Sequence, residues 1–369
     1  MTRLALFGGA DFASPRARVL LEGLSELGVP CRDLRVERRQ GVARRWRQLY
    51  QRLAVSPERP DWLLVPEFAH KDVPLAWLLA RRDGLRVAFD PLVSRYDTLV
   101  EDWELYPRGG WEAWWNRVVD AWALSHADLV ACDTAAHGER FHELGAGRTR
   151  LVRVPLGAES AYWQQGERLA APASPGRAPG PLRVLYVGGF LPFHGVPVIV
   201  EAARRLAAQG LAEAIRFRLV GDGVQHERVR SDLAPAPLPG LELVGRRPQE
   251  ELTAHLAAAD VSLGCFADRP KTQLVVPHKV VQALAAGVCV VTAETRAMRE
   301  SFAAGEHYVG VPPGDAEALA RALAALAADP GRRVAVARAG RERARSERTP
   351  VAVARAWLAA LEGPRGGRA

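Results

Sequence analysis

The sequence predicts an α/β protein built as two Rossmann-like, doubly wound domains facing a cleft. Three observations carry this reading. Strands alternate with helices along 369 residues, a stretch dense in Pro, Gly, Ala and Ser interrupts the rhythm near the middle, and the same rhythm restarts beyond it. Length allows two domains of roughly 100 to 200 residues each. With 48% hydrophobic and 25% charged residues, each half can bury its own core.

Element by element, the first half opens with a strand over Leu4 to Phe7 that breaks at Gly8 and Gly9, followed by a helix from Ser14 to Leu27. Further strands are expected at Trp62 to Val65, Arg86 to Phe89, Asp128 to Ala131 and Leu151 to Val154. Residues 168–181, RLAAPASPGRAPGP, carry little apolar periodicity and predict a linker between domains at 1–167 and 182–348. Beyond it, strands are expected at Arg183 to Val187, Arg216 to Val220, Glu242 to Val244, Val261 to Cys265 and Val288 to Thr292. Helices are expected from Val196 to Gln209 and from His278 to Ala286, and residues 349–369 predict a C-terminal helix able to pack back on the first domain.

No apolar run approaches the roughly 18 residues that span a bilayer, and the first apolar run is too short for a secretory core. Cys31, Cys132, Cys265 and Cys289 are far apart and lack metal or redox spacing. The expectation is a cytoplasmic protein with reduced cysteines and no metal. The formal charge of +8 suits polyanionic or membrane-surface partners. Eight arginines between Arg32 and Arg52, interleaved with Trp46, Leu49, Tyr50 and Leu53, predict a basic amphipathic helix. It either touches an anionic membrane, at the inner face, or simply solvates a helix surface. No nucleic-acid-binding motif accompanies these arginines, so no nucleic-acid partner is expected. Five tryptophans, Trp103, Trp111, Trp114, Trp115 and Trp122, crowd one segment. Helix packing is expected for most of them, with sugar stacking or membrane contact as alternatives.

The chemistry concentrates in the second half. In VGGFLPFHG a strand ends at Val187, Gly188 and Gly189 make a tight turn, and Gly195 precedes a helix whose amino end offers N–H groups to an anion. VGDG, Val220 to Gly223, ends a second strand in glycines. In VVPHKVVQALAAG, Pro277 precedes a helix on which Lys279 and Gln282 lie three apart, on one face. A cation and an amide there can grip a phosphate and a ribose hydroxyl.

The order and spacing of these segments resemble the retaining glycosyltransferases of the GT-B fold, family 4 group, in a bacterial branch with a P-x-K-x-x-E/Q donor helix. FDPLVSRYDTLVEDW and ADLVACDTAAHGERF carry the resemblance in the first half. The resemblance implies a first domain on the acceptor side and a second that binds a nucleotide sugar, a UDP- or GDP-sugar, for transfer to a glycan or lipid-linked acceptor with retention of configuration. It further implies front-face attack, in which the departing diphosphate takes the acceptor proton and no metal acts; Asp102-Trp103-Glu104 only loosely echoes a metal-binding Asp-x-Asp. Carried onto this chain, it assigns His194, Lys279 and Asp97 to catalysis. It assigns Gly188, Gly189, Phe190, Gly195, Gly221, Gly223, Arg246, Pro277, His278 and Gln282 to the donor. Asp90, Ser94, Tyr96 and Asp97 are implied as acceptor contacts, with loop stabilisation the alternative for Asp90 and Asp97. The chain departs from the family at four places: two glutamates are replaced by Leu274 and Gln282, and an Arg and a Lys by Gly189 and His194. That leaves Lys279, with Lys271 or Arg246, to meet the diphosphate, and keeps a nucleotide-sugar-binding regulator without efficient transfer as the alternative.

Overall fold

The computed structural model describes residues 2–55, 59–147, 149–170 and 180–363. By their contacts they form two units, residues 1–159 with 348–369 and residues 160–347.

In the first unit β1 (Leu4–Leu6), α1 (Pro15–Glu26), β2 (Cys31–Asp33), α2 (Val42–Ala54), β3 (Trp62–Val65), α3 (Val73–Asp83), β4 (Arg86–Phe89), α4 (Trp111–His126), β5 (Leu129–Cys132), α5 (Ala135–Phe141) and β6 (Arg150–Arg153) follow one another. The strands pair in parallel in the order β2-β1-β3-β4-β5-β6. Period-two alternation divides the core. Ala5, Phe7, Leu63 and Val65 face one apolar cluster with residues of α2, α3 and α4, while Leu4, Leu6, Trp62 and Leu64 face another with α1. Both faces are covered, which is why β3 reads as an unbroken apolar run.

The second unit runs α6 (Ser160–Ala170), β7 (Leu182–Val187), α7 (Val196–Ala208), β8 (Ile215–Val220), α8 (His226–Leu233), β9 (Leu241–Val244), α9 (Gln249–Ala258), β10 (Val261–Leu263), α10 (Pro270–Leu274), α11 (His278–Ala285), β11 (Cys289–Ala293), α12 (Arg296–Ser301), β12 (Val309–Val311), α13 (Ala316–Ala328) and α14 (Pro330–Arg348). Its parallel sheet has the order β9-β8-β7-β10-β11-β12, the doubly wound dinucleotide-binding order. The expected pair of Rossmann-like parallel-sheet domains is the architecture observed. α7 buries Val196, Ile199, Val200, Ala203 and Leu206, a stripe at helical spacing against β7 and β8. The last helix, α15 (Pro350–Glu362), belongs to the first unit, where Trp357 is 1% exposed. A side chain on Gly23 of α1 would strike the Pro350 carbonyl oxygen at 1.9 Å.

Three expectations change. The stretch from Arg32 to Leu53 is not one helix: it begins with β2, and only α2 is helical. Its apolar side is spent inside the unit, with Leu49 fully buried and Trp46 and Leu53 packed on the core. Arg45 is buried against Asp72 at 2.8 Å, and Arg35 bonds Asp33. The unit boundary precedes residue 168, because α6 stays helical to Ala170 and Gly166 sits against the Ala285 carbonyl of the second unit; linker residues 171–179 lie outside the described residues. Finally, Trp111, Trp114 and Trp115 are 67%, 51% and 44% exposed, so helix packing does not account for them.

Candidate functional site

Open parallel sheets bind ligands at the carboxyl ends of their strands, where strand order reverses. In the second unit that point lies between β7 and β10. β7 leads into Gly188, whose φ is 151° and where a Cβ would lie 2.6 Å from Lys279 Nζ. Gly221 closes on it from β8, and a Cβ there would sit 1.9 Å from the Gly188 carbonyl oxygen. Only glycines permit this approach. The two turns are bonded to each other: Gly188 N–H donates to the Val220 carbonyl and Phe190 N–H to the Asp222 carbonyl, both at 3.0 Å. Gly223 packs on the Phe190 backbone, and Gly195 on Ala267 in the loop after β10, where Phe266 N–H donates to the His194 carbonyl at 2.9 Å.

Lys279 enters this turn from the first turn of α11, behind the Pro277 cap. Its stem is partly exposed, but Nζ is buried without a hydrogen-bond partner, 4.0 Å from the centroid of the Tyr186 ring. Desolvation lowers its pKa from 10.5 to about 8. The Tyr186 hydroxyl donates to the Gly189 carbonyl at 2.7 Å and lies 2.8 Å from His194 Nδ1, which also bonds that carbonyl. Burial, and then the Lys279 charge, hold the His194 pKa well below its usual value, so the ring is neutral and pins the turn. Gly189 N–H, next to Gly188, donates to no acceptor among the described residues. A cation and an amide donor thus meet at one glycine turn, with no anion partner among the described residues.

The other expected donor residues are distributed unevenly around this point. His278 precedes Lys279 on α11, and Gln282 is half-buried one turn further on. Arg246 is exposed in the loop after β9, on the same sheet edge but two strands from β7. Lys271 is buried with Nζ 4.8 Å from the Phe193 ring centroid. Sequence reasoning missed Tyr186. An aromatic two residues before a glycine turn was its only signal.

Asp97 belongs to the first unit. Its carboxylate takes Arg140 Nη2 at 2.6 Å and Nε at 3.0 Å, and its N–H donates to Ser94 Oγ at 2.9 Å. The Ser94 hydroxyl and the Tyr96 N–H in turn donate to the Asp120 carboxylate, at 2.7 and 2.8 Å. Asp90 is buried against Arg16 at 2.5 Å. These contacts make the segment a clamped loop. Among the described residues no group of His, Cys, Asp and Glu side chains could hold a metal ion, and no helix is long and apolar enough to cross a membrane. A hollow of about 390 Å³ lies at the amino ends of β7, β8 and β9. Its arginines, Arg183, Arg216 and Arg218, are already paired with Asp260, Glu213 and Glu242.

Two doubly wound parallel-sheet domains, the second with a glycine turn at its switch point, are the architecture of the GT-B class. Solved structures agree on the fold. Sucrose-phosphate synthase (tll1590) from Thermosynechococcus elongatus superposes with a TM-score of 0.72 at 17% identity, covering 98% of each chain. Anabaena Alr3699/HepE, solved with UDP-glucose, gives 0.68 at 14% identity, over 98% of this chain and 99% of that one. The chain belongs to the glycosyltransferases of this fold: residues 6–157 match the glycosyl transferase 4-like domain and residues 181–329 the glycosyl transferases group 1. It is 34% identical over 155 residues to a putative colanic acid biosynthesis glycosyltransferase, WcaL, of Salmonella typhimurium, covering 40% of this chain and 37% of the relative. It is 32% identical over 197 residues to the D-inositol 3-phosphate glycosyltransferase of Nocardia farcinica, covering 51% and 42%. The chain spans less than half the length of these curated relatives.

Proposed function

We propose that this chain is a glycosyltransferase that moves a sugar from a UDP- or GDP-sugar to a glycan or lipid-linked acceptor with retention of configuration. The observation that carries the reading is the unpartnered, buried Lys279 ammonium against the Gly188 turn. A diphosphate there would offset the cost of that buried charge, accept from Lys279 Nζ and Gly189 N–H, and leave Gln282 the ribose. Its negative charge would raise the Lys279 pKa and keep the ammonium protonated. As the sugar departs, charge grows on the diphosphate, and Lys279 stabilises it while that same diphosphate takes the acceptor proton. No protein nucleophile and no metal enter this scheme. His194 acts by holding the turn. The UDP and UDP-glucose in the Anabaena HepE structures support the donor class.

A second reading, a nucleotide-sugar-binding regulator, is favoured by Leu274, which closes α10 with an apolar side chain where the family carries a carboxylate. Titrating UDP-, GDP-, ADP- and TDP-sugars while following nucleotide release in the presence of excess chelator separates the two. Heat of binding with release is expected; binding without release would establish the regulator, and release only after magnesium or manganese is restored would overturn the metal-free scheme.

A further inference from the structure

α4 buries Ala113, Ala123 and Leu124 in the core, yet its amino end leaves three tryptophans in the open. Its inner face buries Asn116 and Asp120, which bond Arg95, Ser94 and Tyr96, whereas its outer face carries Trp111, Trp114 and Trp115 at i, i+3 and i+4. The three indoles pack on one another, with centroids 4.5 to 6.4 Å apart, and remain about half exposed or more. A cluster of exposed tryptophans marks an interaction surface. Charge identifies it. α2 and α4 flank the same short turn, His70–Asp72: Trp46 Nε1 of α2 donates to the Lys71 carbonyl, and His70 lies 3.5 Å from Asp120 of α4. On α2 the exposed Arg44 and Arg47, with Arg39 just before it, have no carboxylate partner among the described residues. Indoles are the side chains most suited to the headgroup boundary of a bilayer, and unpaired arginines supply the attraction to anionic lipid.

We infer that the amino end of α4 is a bilayer-docking surface, with Trp111, Trp114 and Trp115 entering the headgroup region of an anionic membrane and the outer arginines of α2 adding electrostatic attraction. Insertion thus falls to α4, since the apolar side of α2 is buried in the core. This inference does not depend on the sugar-transfer reading.

The 369-residue chain and a Trp111→Ser/Trp114→Ser/Trp115→Ser variant are sedimented with vesicles of neutral phosphatidylcholine and of phosphatidylcholine with phosphatidylglycerol, at low and high salt. The wild type is expected on anionic vesicles, and the triple variant is expected to lose at least about tenfold in partitioning, the apolar area of three half-exposed indoles being large enough for that. Lipid brominated near the headgroup should quench wild-type tryptophan fluorescence more than that of the variant. Arg39→Ser/Arg44→Ser/Arg47→Ser should weaken anionic binding and flatten its salt dependence. The substituted side chains are exposed, so unchanged melting and unchanged nucleotide binding by both variants report intact folds. Equal sedimentation and quenching of wild type and triple variant would overturn the proposal. So would a concentration-dependent dimer abolished by the tryptophan substitutions without vesicle binding.

Discussion

Replacing Lys279 by Met keeps the length of the side chain and removes its charge, so it separates what the lysine does for the fold from what it does for a ligand. In the folded protein its pKa falls from 10.5 to about 8, which at 1.36 kcal/mol per pH unit corresponds to about 3 kcal/mol of destabilisation when the group is charged in both states. The contact with the Tyr186 ring at 4.0 Å offsets part of this, up to about 2 kcal/mol for a desolvated pair. The Met variant is therefore expected to be more stable at pH 7 by about 1 to 3 kcal/mol. That is a rise in melting temperature of roughly 2 to 10 °C for a unit of this size. The sign is set by linkage: below pH 8 both folded and unfolded lysine are protonated and the penalty is complete. Between pH 8 and 10.5 the unfolded chain holds the extra proton, so wild-type stability gains on the variant as pH rises. Differential scanning calorimetry at pH 7, 9 and 10.5 should show the gap shrinking, and UDP should raise the melting temperature of the wild type alone. A Met variant less stable than wild type at pH 7, or a gap independent of pH, would falsify the picture of an unpartnered buried ammonium.

Three further outcomes follow from the same geometry. Gly188→Ala places a Cβ 2.6 Å from Lys279 Nζ at a φ of 151°, so nucleotide titration should show at least about tenfold weaker binding; an unchanged Kd would mean that the ligand does not use this turn. Tyr186→Phe removes the hydroxyl that joins Gly189 and His194 but keeps the ring, which should cost about 1 kcal/mol in chemical denaturation and weaken nucleotide binding less than Lys279→Ala does. Asp97→Asn strips Arg140 of its two-point partner and should lower the stability of the first unit by about 1 to 3 kcal/mol. Its nucleotide affinity should match wild type, and a loss there would show that Asp97 does more than clamp its own loop.

Where the sequence could be read, the reason was physical. The run at Trp62–Val65 is buried on both faces of a parallel sheet and has no polar alternation to confuse it. The glycine turns were legible because strand, glycines and helix follow in order. The short outer strand Cys31–Asp33 was missed because it is polar and half-exposed. Arg32 to Leu53 was read as one basic helix because nothing local reveals that Arg45 meets Asp72, 27 residues away, or that Leu49 turns inward. α4 misled for the opposite reason: Asn116 and Asp120 serve a buried loop while Trp111, Trp114 and Trp115 at its amino end face out, against the usual patterning. Lys279 stood out by position alone. Its lack of a partner, and the role of Tyr186 beneath it, depend on β7 and α11 meeting across the sheet edge.

The central claim is that a nucleoside diphosphate is held at the carboxyl end of β7 by Lys279. The most direct measurement is a crystal structure of the full chain with UDP or GDP. The expected result places a phosphate oxygen within about 3 Å of Lys279 Nζ and of Gly189 N–H. A nucleotide bound instead in the arginine-lined hollow at Arg183, Arg216 and Arg218, or one whose diphosphate leaves Lys279 untouched, would contradict the account.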